Sequence, residues 1–99
     1  MKRSRQLFLA IVFLFPFFMS AQEVINGNVK DEFGTDLPGV SVIIQGTTQG
    51  TATDFDGNFV LEVDQADAVL VFSYMGYSSM ELQASDGMQV ILQESSESL

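Results

Sequence analysis

From residue 24 onward, apolar and polar positions alternate with a period of two in short runs, and no segment carries a 3.6-residue period long enough to compete. The clearest run is 58–63. Phe59, Leu61 and Val63 fall on one face and Asn58, Val60 and Glu62 on the other, as in a strand that buries one side. Val40, Val42 and Ile44 alternate with Ser41 and Gln45, and Met88, Val90 and Leu92 with Gln89 and Gln93. Residues 68–72 are apolar on both faces, which suits a central strand covered on both sides or a strand at a crossing. The pattern predicts seven strands, at 24–30, 40–45, 51–53, 58–63, 68–74, 78–83 and 88–93.

The separators carry turn residues: Gly34, Pro38 and Gly39 within 31–39, then 46–50, Asp56-Gly57, 64–67, Met75-Gly76-Tyr77 and Ser85-Asp86-Gly87. Residues 51–61 read as a β-hairpin about Asp56-Gly57, since Gly57 can take the positive φ of a tight turn. The other strands are expected to add around this hairpin. Seven short antiparallel strands with regular turns point to an all-β sandwich, with an open barrel as second choice. The polar residues 94–99 read as an unpacked end or the start of a linker.

Residues 1–21 differ in kind. Lys2, Arg3 and Arg5 precede the uninterrupted apolar run LFLAIVFLFPFFM, and Ser20 and Ala21 offer small residues for cleavage. Thirteen apolar residues with Pro16 among them fall short of the roughly 18 of a spanning helix, so a Sec-type signal peptide cut after Ala21 is expected over a retained anchor. No cysteine follows to carry a lipid.

Cleavage changes the charge balance. It would leave 78 residues in which thirteen carboxylates face Lys30 alone, a net charge of −12. Such a surface repels phosphate backbones and anionic lipid, so neither nucleic acid nor a bilayer surface is an expected partner. With no cysteine to staple it, a domain this small must rely on apolar packing and sheet pairing.

The side-chain inventory excludes much chemistry. There is no His and no Cys, and both arginines lie in the leader. Ser-His-Asp and Cys-His nucleophile systems, His or Cys zinc sites and cationic phosphate clamps are thereby removed. A carboxylate pair for glycoside hydrolysis needs a cleft that 78 residues have little room to build. No catalytic residue, no cofactor site and no metal site is therefore assigned, and no enzymatic activity is expected.

Two constellations bear weighing. Asp54, Asp56 and Asn58 place oxygens at alternate positions as in a calcium loop, but Phe59 stands where that loop needs Gly and Gln65 where it needs a bidentate Glu. The competing reading is that Asp54 and Asp56 shape the turn through hydrogen bonds to its backbone. Phe72, Tyr74 and Tyr77 allow a sugar-stacking platform or, more simply, core and corner packing.

The runs Asn26-Gly27-Asn28-Val29-Lys30-Asp31, Leu37-Pro38-Gly39-Val40, Gly46-Thr47-Thr48, Thr51, Thr53-Asp54, Asp56-Gly57-Asn58-Phe59 and Leu70-Val71-Phe72-Ser73-Tyr74-Met75-Gly76-Tyr77 together resemble the carboxypeptidase-D regulatory-like domain. The version resembled is the N-terminal extension of SusC/RagA-type TonB-linked outer-membrane transporters, and the resemblance spans about residues 24–93. It implies a seven-stranded transthyretin-like (prealbumin-like) sandwich in the periplasm, ahead of a TonB-interacting segment, a plug and a barrel. Its implied partners are a periplasmic TonB-type energising protein or the rest of a transporter that imports oligosaccharides or peptides. This chain carries no plug and no barrel, so it is expected to be either the N-terminal piece of a longer transporter or a free-standing periplasmic module. Two other roles remain open from the residues: a free-standing carbohydrate-binding module, and a domain that only helps an exported chain fold.

Overall fold

A computed structural model describes residues 22–95. The expected leader, residues 1–21, and residues 96–99 lie outside them. Seven strands appear where the alternation places them, within two residues at each end: β1 Glu23–Asp31, β2 Ser41–Ile44, β3 Gly50–Ala52, β4 Asn58–Val63, β5 Val69–Ser73, β6 Met80–Gln83 and β7 Met88–Leu92. They form a sandwich of two sheets, β4-β1-β7 and β3-β2-β5-β6.

The alternation decides the core. Ile25 and Val29 of β1, Phe59, Leu61 and Val63 of β4 and Met88, Val90 and Leu92 of β7 are buried from the first sheet; Val42, Leu70 and Phe72 meet them from the second. Phe59 and Phe72 join the layers edge to face, with ring centroids 5.6 Å apart. Each such side chain contributes roughly 1.5–3 kcal/mol through removal from water. Strand β5 is central in its sheet, between β2 and β6, with Val69 and Val71 half-buried on its outer face.

Two expectations about pairing are corrected. The residues 51–61 do not form a hairpin: β3 pairs with β2 (Ser41↔Ala52) and β4 pairs with β1 (Asn28↔Asn58), so the connection between them crosses from one sheet to the other. Thr53 is the reason. It is buried beyond the end of β3, where its Oγ1 donates to the Leu37 carbonyl (2.5 Å) and accepts from the Val40 N–H (2.9 Å), tying the chain to the β1–β2 loop before it turns.

The strands are also not all antiparallel, since β7 runs parallel to β1 (Gly27↔Met88 through Asp31↔Leu92). Every connection reverses the chain, so odd-numbered strands share one direction and any pair of them must be parallel. That same rule sorts the loops. The β1–β2, β3–β4 and β5–β6 connections gather at one end of the sandwich, here the upper end, together with residues 93–95. The β2–β3, β4–β5 and β6–β7 connections gather at the lower end.

The polar tail begins later than its composition suggests. Glu94 bridges Tyr77, Ser78 N–H donates to the Gln93 carbonyl (2.9 Å) and Ser95 N–H donates to the Gly76 carbonyl (2.9 Å). Backbone pairing, which is blind to side-chain polarity, extends the packed chain through Ser95.

Candidate functional site

The upper end collects the residues singled out above. In its β3–β4 turn, Asp54 Oδ1 accepts from the backbone N–H groups of Asp56 and Asn58, both at 2.9 Å, while Asp54 N–H donates to the Asn58 carbonyl at 2.9 Å. The carboxylate is thus bound by amide donors inside its own loop, the turn-shaping role rather than a cation ligand's. Asn58 Oδ1 is engaged as well, accepting from Asn28 Nδ2 at 2.8 Å, and Asn28 Nδ2 also reaches the Asp56 carbonyl at 3.0 Å. Asp56 enters the turn through its main chain, so the expectation that both aspartates shape it holds by side chain for Asp54. Among the described residues, no group of three or more His, Cys, Asp or Glu could hold a metal ion.

The aromatic set divides. Phe72 is fully buried in the core and cannot form part of a platform. Tyr74 and Tyr77 are half-buried on the β5–β6 connection, with ring centroids 5.5 Å apart and planes tilted by 44°. This is the corner packing expected of them. Partial burial raises the Tyr77 phenol above its ordinary pKa of 10.0, assisted by the carboxylates of Asp31 and Glu94, by Tyr74 and by Glu32. Those carboxylates belong to two separate stretches of sequence, 31–32 and 94, that the topology brings to one corner.

Lys30, the one cation after residue 21, is engaged at this end. Its Nζ donates to Asp36 Oδ1 at 2.8 Å and to Asn28 Oδ1 at 2.6 Å. With both partners about two-fifths exposed, the ion pair contributes about 1 kcal/mol at most. Its consequence is electrostatic: Glu32, Asp56 and Glu94 keep their charge unmatched by Lys30.

The sequence did not mark the most exposed apolar residues as a group. Phe33, Phe55 and Met75 are 79%, 93% and 94% exposed, one on each loop of the upper end. Phe55 lies beside Pro38 and Gly39 in one shallow depression, and Tyr74 and Met75 lie beside Gly39 in the next. Gly39 is the floor between them, with the Tyr74 ring 3.8 Å from where its side chain would start. A signal was present: each of the three residues sits inside a turn, outside any period-two run, so no core position claims it. The lower-end loops, residues 45–49, 64–68 and 84–87, carry no Phe, Met, Leu, Ile, Tyr or Val.

At the lower end the notable contact is Asp86. Its Oδ1 accepts from the Asn26 N–H at 2.9 Å and from Asn26 Nδ2 at 3.0 Å, and these bonds, the backbone one foremost, hold the carboxyl below its ordinary value of 3.8.

The fold defines a seven-stranded, two-sheet β-sandwich whose distinctive surface is a cluster of loops. The chain belongs to the CarboxypepD_reg-like domain family, whose model matches residues 25–99. It is 42% identical over 91 residues to the TonB-dependent receptor SusC of Bacteroides thetaiotaomicron, covering 92% of this chain and 9% of that protein. It is 36% identical over 90 residues to TonB-dependent receptor P3 of Formosa agariphila, covering 88% of this chain and again 9% of the relative. The chain therefore spans about a tenth of the length of these relatives. Among solved structures, a chain of a type II Cohesin–X-Dockerin complex from Acetivibrio cellulolyticus superposes with a TM-score of 0.58 at 18% identity, covering 70% of this chain and 56% of that one. That likeness shows a shared fold alone.

Proposed function

We propose that this chain is a non-catalytic periplasmic domain of a SusC-like TonB-dependent outer-membrane receptor, exported by a Sec-type signal peptide and acting by protein contact. What supports the reading is the upper end: three loops each present an apolar side chain to solvent beside a core closed around Phe59 and Phe72, on a chain that aligns with SusC over 92% of its length. Its contacts are the TonB-type energising protein or the remainder of the transporter, and its acidic surface selects a basic partner and speeds the encounter. The sandwich serves as a rigid spacer or docking body in that assembly.

The test is deletion of this domain from a full-length receptor, with nutrient uptake as readout, alongside binding of the isolated periplasmic part of TonB at two salt concentrations. Reduced uptake and a salt-sensitive affinity are expected. Unchanged uptake together with no salt-sensitive binding would remove the reading. A panel of glucans titrated against tyrosine fluorescence is expected to be silent; a response would favour the carbohydrate-binding alternative.

A further inference from the structure

Three loops at the upper end hold their exposed apolar side chains on fixed backbone. Phe55 stands inside the turn closed by the Asp54 carboxylate, and Met75 inside the turn closed by Tyr77 N–H to the Tyr74 carbonyl (3.0 Å) and by Ser95 N–H to the Gly76 carbonyl (2.9 Å). Neither turn uses those two side chains. The Asp54 turn needs only backbone amides at 56 and 58, so position 55 is free to be polar, yet it carries a phenylalanine 93% exposed. Single exposed apolar residues are ordinary; two at above nine-tenths exposure on either side of a glycine floor, with Pro38 and Tyr74 between them, are a patch. Anchors on rigid turns lose little conformational freedom when a partner seats on them.

Charge decides between occupants. Glu32, Asp56 and Glu94 are exposed around this end, and Lys30, the only cation among the described residues, already faces Asp36. A second copy of the chain would bring the same carboxylates against them, and an anionic lipid surface would be repelled likewise. An uncharged glycan would gain nothing from the carboxylates, and it would meet a tyrosine pair tilted by 44° and half-buried rather than a flat face.

We propose that the surface formed by Phe55, Pro38, Gly39, Tyr74 and Met75 is a docking site for a cationic protein segment that also carries aliphatic side chains. Its aliphatic groups seat on Phe55 and Met75 across Gly39, and its lysines or arginines face Glu32, Asp56 and Glu94. Desolvating the apolar contacts supplies affinity, and the acidic rim supplies on-rate and selection by sign. This inference rests on the reading of the chain as a receptor domain that works by protein contact. If deletion lowers uptake while the surface binds nothing, that reading stands and this surface falls.

The probe is a synthetic peptide alternating Lys and Leu, titrated into the chain by calorimetry with amide shifts followed by NMR, beside a Lys-Ser and a Glu-Leu peptide. Binding confined to the Lys-Leu peptide, weakening with salt and shifting the amides of Gly39, Phe55 and Met75, is expected. The double variant F55S/M75S should weaken it about tenfold or more with an unchanged melting temperature. The triple variant E32Q/D56N/E94Q should weaken it about tenfold at low salt and flatten the salt dependence, while the lower-end pair D64N/D67N changes it by less than about twofold. The proposal is overturned by absence of Lys-Leu binding, by equal binding of Lys-Ser, or by D64N/D67N weakening binding as much as the upper-end variants. A dimer abolished by F55S/M75S, or a glucan that shifts the same amides, would overturn it in favour of those occupants.

Discussion

Asp31-Glu32-Phe33-Gly34-Thr35 and Asp54-Phe55-Asp56-Gly57-Asn58 fold into the same turn. In each, the aspartate Oδ1 accepts from the N–H groups two and four residues on at 2.9 Å. In each, the glycine N–H returns to the aspartate carbonyl (3.1 and 2.9 Å), the aspartate N–H donates to the carbonyl four residues on, and the glycine takes φ near +80° (87° and 77°). Both leave a phenylalanine in solvent. Yet they do different work. The first folds the chain back on itself within one loop, with Lys30 bridging Asp36. The second carries the chain from one sheet to the other, and its Gly57 is buried, its carbonyl accepting from the Val29 N–H at 2.8 Å. Local hydrogen bonding shapes a turn; the tertiary neighbours decide which of its atoms can be altered.

The largest expected effect breaks the pair apart. A Cβ on Gly57 would stand 2.6 Å from the Val29 carbonyl oxygen and 3.2 Å from Asp36 Cβ, at a φ of +77° that L side chains rarely adopt. Gly57→Ala should therefore cost about 3 kcal/mol or more in urea denaturation, against a domain stability of about 5–8 kcal/mol. Gly34 has the same φ problem but open space, so Gly34→Ala should cost only about 1 kcal/mol. Equal costs would mean that docking adds nothing.

Thr53→Val tests what holds the second turn at the crossing. It leaves the Val40 N–H without the partner it has now and removes the bond to the Leu37 carbonyl, so a loss of about 2–3 kcal/mol is expected by the same denaturation. A near-neutral result would show that the crossing does not depend on this threonine.

Asp31→Ala and Asp54→Ala sharpen the likeness instead. Each removes one carboxylate and the two amide bonds it accepts, at about 1 kcal/mol. Their costs should agree within about 0.5 kcal/mol if the turn is a local device, and diverge if docking of the second loop carries part of its stability.

The smallest effect concerns Asp86, whose carboxylate leaves its own turn to hold Asn26 of β1. Its folded-state pKa lies below the ordinary 3.8, so the charged form contributes stability above that value and loses it as pH falls through the depressed one. Asp86→Asn should lower the melting temperature slightly at pH 7 and converge with the parent chain in acid. Curves that stay parallel from pH 7 to pH 2 would remove the charge from the account.

Much of the fold was legible before any coordinates. The positions of all seven strands follow from the short apolar runs and their turns, and the inward faces of β2, β4 and β7 from the period of two, because alternate side chains of a strand must point to opposite sides and only one side finds a core. The absence of His and Cys and the isolation of Lys30 as the one cation after residue 21 are likewise sequence facts that bound the chemistry without a structure. Asp56-Gly57 satisfies the local requirement for a reversal and so reads as a hairpin, but a reversal does not say which strand each arm will join. Phe33, Phe55 and Met75 were not grouped, since 42 residues separate the first from the last and only the loops' shared end unites them.

Taken by itself, the sequence determined the strands, the turns and the sign of the surface, all of which depend on a few neighbouring residues. The tertiary structure alone decided the sheet order, the parallel β1–β7 pairing, the burial of Gly57 and Thr53, and the meeting of three apolar loop residues with an acidic rim. Those depend on which distant segments share a core, and long-range pairing is a property of the whole chain's packing that no local pattern encodes.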